Sequence, residues 1–263
     1  MTEDMSTGSS VYVYGVLDQD SAIAGDLGNG VAGSAVRMLP LGTLAALVSD
    51  IPPGPVAQTR RNMIAHTAVL ERAMVHATIL PVRFGTVAPG VAALADCLAA
   101  NAADLRRAMA EIDGRVELGV KASWRPDVVL AEIVASDADL ARMRDRLRNR
   151  PASETYYERV ELGRRIEAAL TTRRVTEAAE IVAGLTPIAE REVELRTLEQ
   201  DMILNRAFLV RRDKEAQFDA RMQAIAERWA DRVEFRYIGP VPPYNFVRVQ
   251  AGVLTGEAAR WDR

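Results

Sequence analysis

Two stretches constrain this fold more than any others: HATILPVRFGTVAPG at 76–90 and FRYIGPVPPYNFV at 235–247. Each follows a helix-like segment. Each joins a strand-like apolar run to a turn rich in glycine and proline, the residues that punctuate strands. With one such stretch in each half, the chain is expected to build two related α/β units. Neither stretch carries an evident catalytic set, so both speak of packing and partners before chemistry.

The 263 residues suit two modest domains, and 49% hydrophobic with 26% charged residues supports a sizeable core. A formal net charge of -3 argues against a nucleic-acid footprint, which needs clustered basic excess. Among the basic residues only Lys121 and Lys214 are lysines; arginine can bridge carboxylates and lay its stem on apolar surface. The opening MTEDMSTGSS lacks the basic and apolar regions of a signal peptide. No stretch has a membrane span's roughly twenty continuous apolar residues. A cytoplasmic protein is expected.

The first half reads as strand (VYVYGV, 11–16), a glycine-bearing loop (21–34), a hairpin (35–51) and a rigid PPGP. A helix over 56–76 should present Met63, Thr67, Leu70 and Met74 on one face. The strand TILPVRF, a helix over 91–112 and the strand RVELGVKASW follow. This order predicts a modified ferredoxin-like α/β domain over 1–125. From 126 to 263 we expect an α+β domain with long helices, a helical hairpin and a small sheet. Ser153 is placed to cap a helix running to about Val182, and Gly163 within it suggests a close crossing. Two strands precede a helix at 213–230, where Phe218, Met222, Ile225 and Trp229 share a face; VEFRYIG is the last strand. The overall class is α+β.

Catalytic and metal motifs are not evident. His66 and His76, on one predicted helix, project about 80° apart and do not form an HExxH pair; packing or capping explains each. Cys97 reads as buried filler. GNGVAG at 28–33 has the letters of a dinucleotide loop, but it does not link a strand directly to a good helix. No cofactor is expected. The aromatic end of the chain is more informative. Phe235 and Tyr237 should share a strand face against the helix of Trp229. Pro242 and Pro243 should hold Tyr244 and Phe246 in an extended shape, for core packing or for a partner at low entropic cost. Arg83 and Phe84 pose the same alternative, and Arg83 would want a carboxylate if buried.

At these residues the chain resembles the gas vesicle protein F/L (GvpF/GvpL) family. The resemblance runs through ATILPVRFGTV (77–87), VELGVKASW (116–124), YYERVELGRRI (156–166), LNRAFLVRRD (204–213) and FRYIGPVPPYNFV. Ala88 and Val241 stand where the family often has aromatics, a departure that would retune any contact made there. The resemblance implies an accessory protein of gas vesicle assembly, not an enzyme. Its partners would be the major shell protein and other accessory proteins, its location the gas vesicle and cytoplasm. The candidate contacts are Arg83, Phe84, Tyr237, Pro242, Pro243, Tyr244 and Phe246. The alternatives are a scaffold that recruits accessory proteins through its helical pair, and a small-molecule-binding or catalytic ferredoxin-like protein. The last would need a pocket near Asp18, His66 or Arg83.

Overall fold

Alternating valines and tyrosines in the first strand decide how the first half is layered. The computed structural model of the chain describes residues 10–23, 25–197 and 199–247; the polar opening through Ser9 lies outside them. Strand β1 (Ser10–Asp18) is buried from Val11 to Val16 and on to Leu17, so both of its faces must be covered. Val11 and Val13 turn to one face, Tyr12 and Tyr14 to the other. β1 pairs antiparallel with β3 (Leu44–Ile51), and a bulge between Val13 and Gly15 returns Val16 to the valine face. β2 (Arg37–Leu41) joins β3 through the expected hairpin, with Leu41 opposite Leu44. Gly42 in its loop has φ +72°, the left-handed backbone that so tight a connection favours.

Helices cover both faces of this sheet. α1 (Arg60–Met74) begins at Thr59, whose hydroxyl accepts from the Asn62 amide, and it lies over the tyrosines. Its inward residues are His66, Val69, Leu70, Ala73 and Met74, while Met63 is 52% exposed. The face is thus rotated from the one expected, because hydrogen bonds to His66 fix the helix's phase. α2 (Val91–Ala100) and α3 (Ala102–Ile112) cover the valine face through Leu94, Leu98, Leu105 and Met109. The single helix expected over 91–112 is broken at Asn101, whose side-chain amide donates to the Cys97 carbonyl and competes with helical bonding.

The second half contains β6 (Arg115–Trp124), α4 (Pro126–Ser136), α5 (Ala138–Arg148) and α6 (Tyr156–Leu185), then β7 (Arg191–Glu194), β8 (Met202–Arg211), α7 (Glu215–Trp229) and β9 (Val233–Val241). Its sheet order is β7-β8-β6-β9. β8 lies between β6 and β7, the strands joined through α4, α5 and α6, so the βαβ unit is split in the ferredoxin-like manner. The α+β class expected from the sequence holds, but this split order belongs to the second half. The first sheet runs β2-β3-β1-β4, because only a short 3-10 turn, Val31–Gly33, and no α-helix separates β1 from the β2–β3 hairpin among the described residues, and β3 can settle beside β1.

The chain forms two compact units: one takes the described residues up to Glu117 and from Pro240, the other Leu118–Gly239. Where the sequence suggested one boundary at 125/126, the chain crosses between units twice. In the second unit α7 buries Phe218, Met222, Ile225 and Trp229, the predicted face. Phe218 packs on Phe208 of β8 and stacks on Tyr237 of β9. α6 starts at Tyr156 without a side-chain cap, and Ser153 is exposed. Instead, the Thr155 hydroxyl donates to Pro151 O and accepts from Arg159 Nε. Gly163 faces open space, so the close helix approach falls elsewhere: a Cβ at Gly184 would lie 2.9 Å from Ile225 Cδ1.

Candidate functional site

The site is best built from the motif VRFGT. β4 (Leu80–Pro81) and β5 (Val87–Ala88) both pair with the same strand, β1, with Pro81 opposite Gly15 and Ala88 opposite Val11. Main-chain bonding nearly bridges the gap: Val82 N donates to Tyr14 O at 2.9 Å and Val13 N to Thr86 O at 3.0 Å. Only Arg83, Phe84 and Gly85 leave the ladder, so the continuous strand expected over TILPVRF is interrupted by a projecting loop. Thr86 closes that loop by donating from its amide and hydroxyl to Arg83 O. Gly85 has φ +88°, a conformation that a side chain would strain.

Beneath the loop lies a knot of polar and aromatic groups. His66 Nε2 meets Val82 O at 3.1 Å, and a carbonyl can only accept, so Nε2 carries the proton. Nδ1 is then the acceptor for the Tyr12 hydroxyl at 2.9 Å, and that hydroxyl accepts from Gly85 N at 3.1 Å. The chain of donors runs from the loop glycine through tyrosine and histidine to the Val82 carbonyl, just past β4. Burial lowers the His66 pKa to about 4, so the neutral ring this arrangement needs is the stable one. Burial likewise raises the Tyr12 phenol. Phe84 is half-buried and stands edge-on to Tyr12 and His66 at ring separations of 6.2 and 5.7 Å. Arg83 is exposed, so its charge meets water and needs no buried carboxylate.

The glycine loop at 28–33 serves the same knot. Tyr14 donates to or accepts from Ser49 Oγ at 2.9 Å and accepts from Val31 N at 2.8 Å. A Cβ on Gly30 would lie 1.9 Å from the Tyr14 oxygen, so that position has room only for glycine.

The segment 242–247 returns to this unit and does not run extended. Tyr244 N donates to Pro242 O at 2.7 Å and Phe246 N to Pro243 O at 3.2 Å, which coil it into turns. Pro242, Pro243 and Phe246 are buried, and Val247 packs on the valine-face core. Asn245 donates from its backbone and its side chain to the buried Glu117 carboxylate. Burial raises the pKa of Glu117, against the pull of those two donors. Tyr244 is half-buried, and its enclosed hydroxyl, raised by burial, has Tyr12, Glu71 and Glu117 among its charged or ionisable neighbours. Ala88, at a position where the resembling family often has an aromatic, is fully buried opposite Val11.

Arg83, Phe84, Pro242, Pro243, Tyr244 and Phe246 therefore belong to one unit. Tyr237 belongs to the other, where its hydroxyl donates to Asp219. The sequence motifs do not single out Tyr12, Tyr14, Glu117 or Asn245 individually, and Ser49 has no convincing base partner in them. The available signals were two tyrosines two apart in an apolar strand and a lone carboxylate in VELGV. A second unmarked cluster lies in the second unit: Glu177 accepts from Trp124 Nε1 at 2.6 Å and from Arg173 Nε at 2.7 Å, and also pairs with Arg232. Glu132 pairs with the same two arginines. The cluster borders an open depression lined by Glu132, Ser136, Thr172, Arg173 and Arg232, and neither Asp18, His66 nor Arg83 is among its walls. Its two arginines are neutralised by two glutamates, so it offers little net charge to a ligand. No helix of the described residues is long and apolar enough to cross a membrane.

These features define a two-unit α+β protein in which the buried polar groups are tied to packing and loop support. The chain belongs to the GvpL/GvpF family: the family described as "Gas vesicle synthesis protein GvpL/GvpF" matches residues 10–248. It is 29% identical over 245 residues to gas vesicle protein F of Nostoc sp., a match covering 92% of this chain and 99% of that one. Gas vesicle protein F of Streptomyces sp. is 31% identical over 241 residues, covering 90% and 99%. The crystal structure of GvpF from Anabaena sp. superposes with a TM-score of 0.79 at 28% identity, covering 92% of this chain and 100% of that one. The family places the chain in gas vesicle formation.

Proposed function

We propose that this protein is a gas vesicle assembly factor that binds the hydrophobic shell subunit, other accessory proteins, or both. By doing so it shields the shell subunit or nucleates shell growth, and it stays as a minor vesicle component where the contact persists. A subunit that must form an apolar wall exposes aggregation-prone surface before assembly, and a covering partner removes that hazard. The observation that carries this reading is the Arg83–Phe84–Gly85 loop. It presents an exposed guanidinium beside a half-exposed aromatic ring, and the Tyr12–His66 chain holds it from below. A loop already fixed loses little entropy on binding, and arginine and aromatic side chains are common anchors. In this reading the buried part of 242–247 supports its unit, Tyr244 lends partial surface there, Arg83 with Phe84 makes the main contact, and Tyr237 offers a separate contact on the other unit.

The test is co-expression with the major shell subunit and with each accessory protein, scored by capture and by vesicle formation. The double variant Arg83→Ala, Phe84→Ala should stay folded by circular dichroism, with a modestly lower thermal midpoint from the lost Phe84 packing, and lose capture. Undiminished capture by that variant would remove the loop from the mechanism. An intact chain that captures none of these proteins, in cells that form normal vesicles without it, would overturn the reading.

A further inference from the structure

β9 ends the second sheet and, among the described residues, has a strand neighbour on one side only. The outer side of such a strand offers unpaired N–H and C=O groups to another chain. Glu234, Arg236, Tyr237 and Ile238 on it are exposed and Phe235 is half-buried. Glu234 and Arg236 flank Phe235 on the opposite face of the strand, and neither has an ion-pair partner among the described residues.

We propose that β9 is a homodimer interface, pairing antiparallel with β9 of a second copy about a two-fold axis through Phe235. The self-complementary charges favour a second copy over an arbitrary extended peptide. When two identical strands extend one sheet with the same faces up, opposed residues must lie on the same face, so only even registers are allowed. Centred on Phe235, Glu234 of each copy stands opposite Arg236 of the other, giving two symmetric unlike pairs. Centred on Glu234, the pairing sets glutamate against glutamate and Arg236 against Arg232. Centred on Arg236, it sets arginine against arginine. Directly opposed like charges destabilise a ladder and unlike charges stabilise it, so among registers centred within the run Glu234–Arg236 the charges select Phe235. That register also opposes Val233 to Tyr237 and keeps Pro240, which has no N–H to donate, out of the paired stretch. Gly239, at the same end, has φ +129°, which departs from regular strand geometry.

Analytical ultracentrifugation of the full chain over a concentration series tests this. The parent should show a monomer–dimer equilibrium. Glu234→Arg and Arg236→Glu should each weaken dimerisation about tenfold or more, since each creates two like-charge contacts. The charge-swapped double variant Glu234→Arg, Arg236→Glu should recover the parental dissociation constant. Circular dichroism should be the same for all four proteins, because both side chains are exposed. A parent that stays monomeric up to about 1 mM, the weak end of specific association, overturns the proposal, even if the edge then captures the shell subunit. So does a dimer that ignores both single reversals, or one that the double variant fails to restore.

Discussion

Asn245 donates two hydrogen bonds to the buried carboxylate of Glu117, 128 residues earlier in the chain: its backbone N at 2.8 Å and its side-chain amide at 2.5 Å. Glu117 is 5% exposed, so few waters can replace those donors. The pair fixes where the chain returns to its first unit and thereby seats Phe246, which is 4% exposed.

Removing this anchor should loosen the returning segment before anything else. Glu117→Ala should cost about 2 kcal/mol, the scale of lost hydrogen bonds to a charged group. Asn245→Ala keeps the backbone donor and should cost about 1 kcal/mol. Denaturant midpoints measure both, and limited proteolysis should cut the Glu117→Ala protein first within 240–247. Cleavage elsewhere first would show that the anchor does not hold this segment.

His66 should make stability fall on mild acidification. Its folded pKa is lowered from 6.5 to about 4 by burial. Between those values the unfolded chain binds a proton that the folded chain refuses. The contribution is therefore fully present above the unfolded value and is lost as pH falls towards the folded one. The slope is about 1.4 kcal/mol per pH unit, or about 2 kcal/mol lost at pH 5. Unfolding free energies at pH 7 and pH 5 for the parent and His66→Gln isolate this effect. The variant should lack that part of the loss, and identical pH dependence in both would exclude His66 as its source.

Gly30→Ala should be severely destabilising. The added methyl would lie 1.9 Å from the Tyr14 oxygen and 2.9 Å from Val36 Cγ2, in a region where Tyr14 is fully buried. Overpacking of this kind costs about 3 kcal/mol. Adding Tyr14→Phe removes the nearest clashing atom and should recover part of the loss in thermal midpoint. Without such recovery, the clash would not be with the phenol oxygen.

Gly163→Ala should stabilise the protein. The glycine is exposed inside α6 and a Cβ there meets nothing within 4 Å. Alanine in a helix interior is favoured by about 1 kcal/mol. Gly184→Ala should yield no comparable gain, because its methyl would press on Ile225 Cδ1. A rise in thermal midpoint at 184 equal to that at 163 would contradict this assignment.

Features governed by local periodicity and turn chemistry are readable from the residues alone. The buried face of α7 follows from Phe218, Met222, Ile225 and Trp229, and the β2–β3 hairpin from its glycine-bearing loop. The α+β class and the family were legible in the same way, since ordered motifs survive in one dimension. The inward face of α1 was not, because His66 takes its place through bonds to Tyr12 and Val82 on other elements. Nor was the break at Asn101, where one side chain outcompetes an otherwise continuous helical pattern. At the candidate site, the sequence marked Arg83, Phe84 and the segment through Phe246 as notable. Tertiary structure alone decided that Arg83 projects into water, that Phe246 is enclosed, and that Tyr12, His66 and Glu117 support them. The physical reason is that burial and hydrogen-bond pairing depend on contacts across as many as 128 residues, whereas helix phase and turn propensity act over a few neighbours.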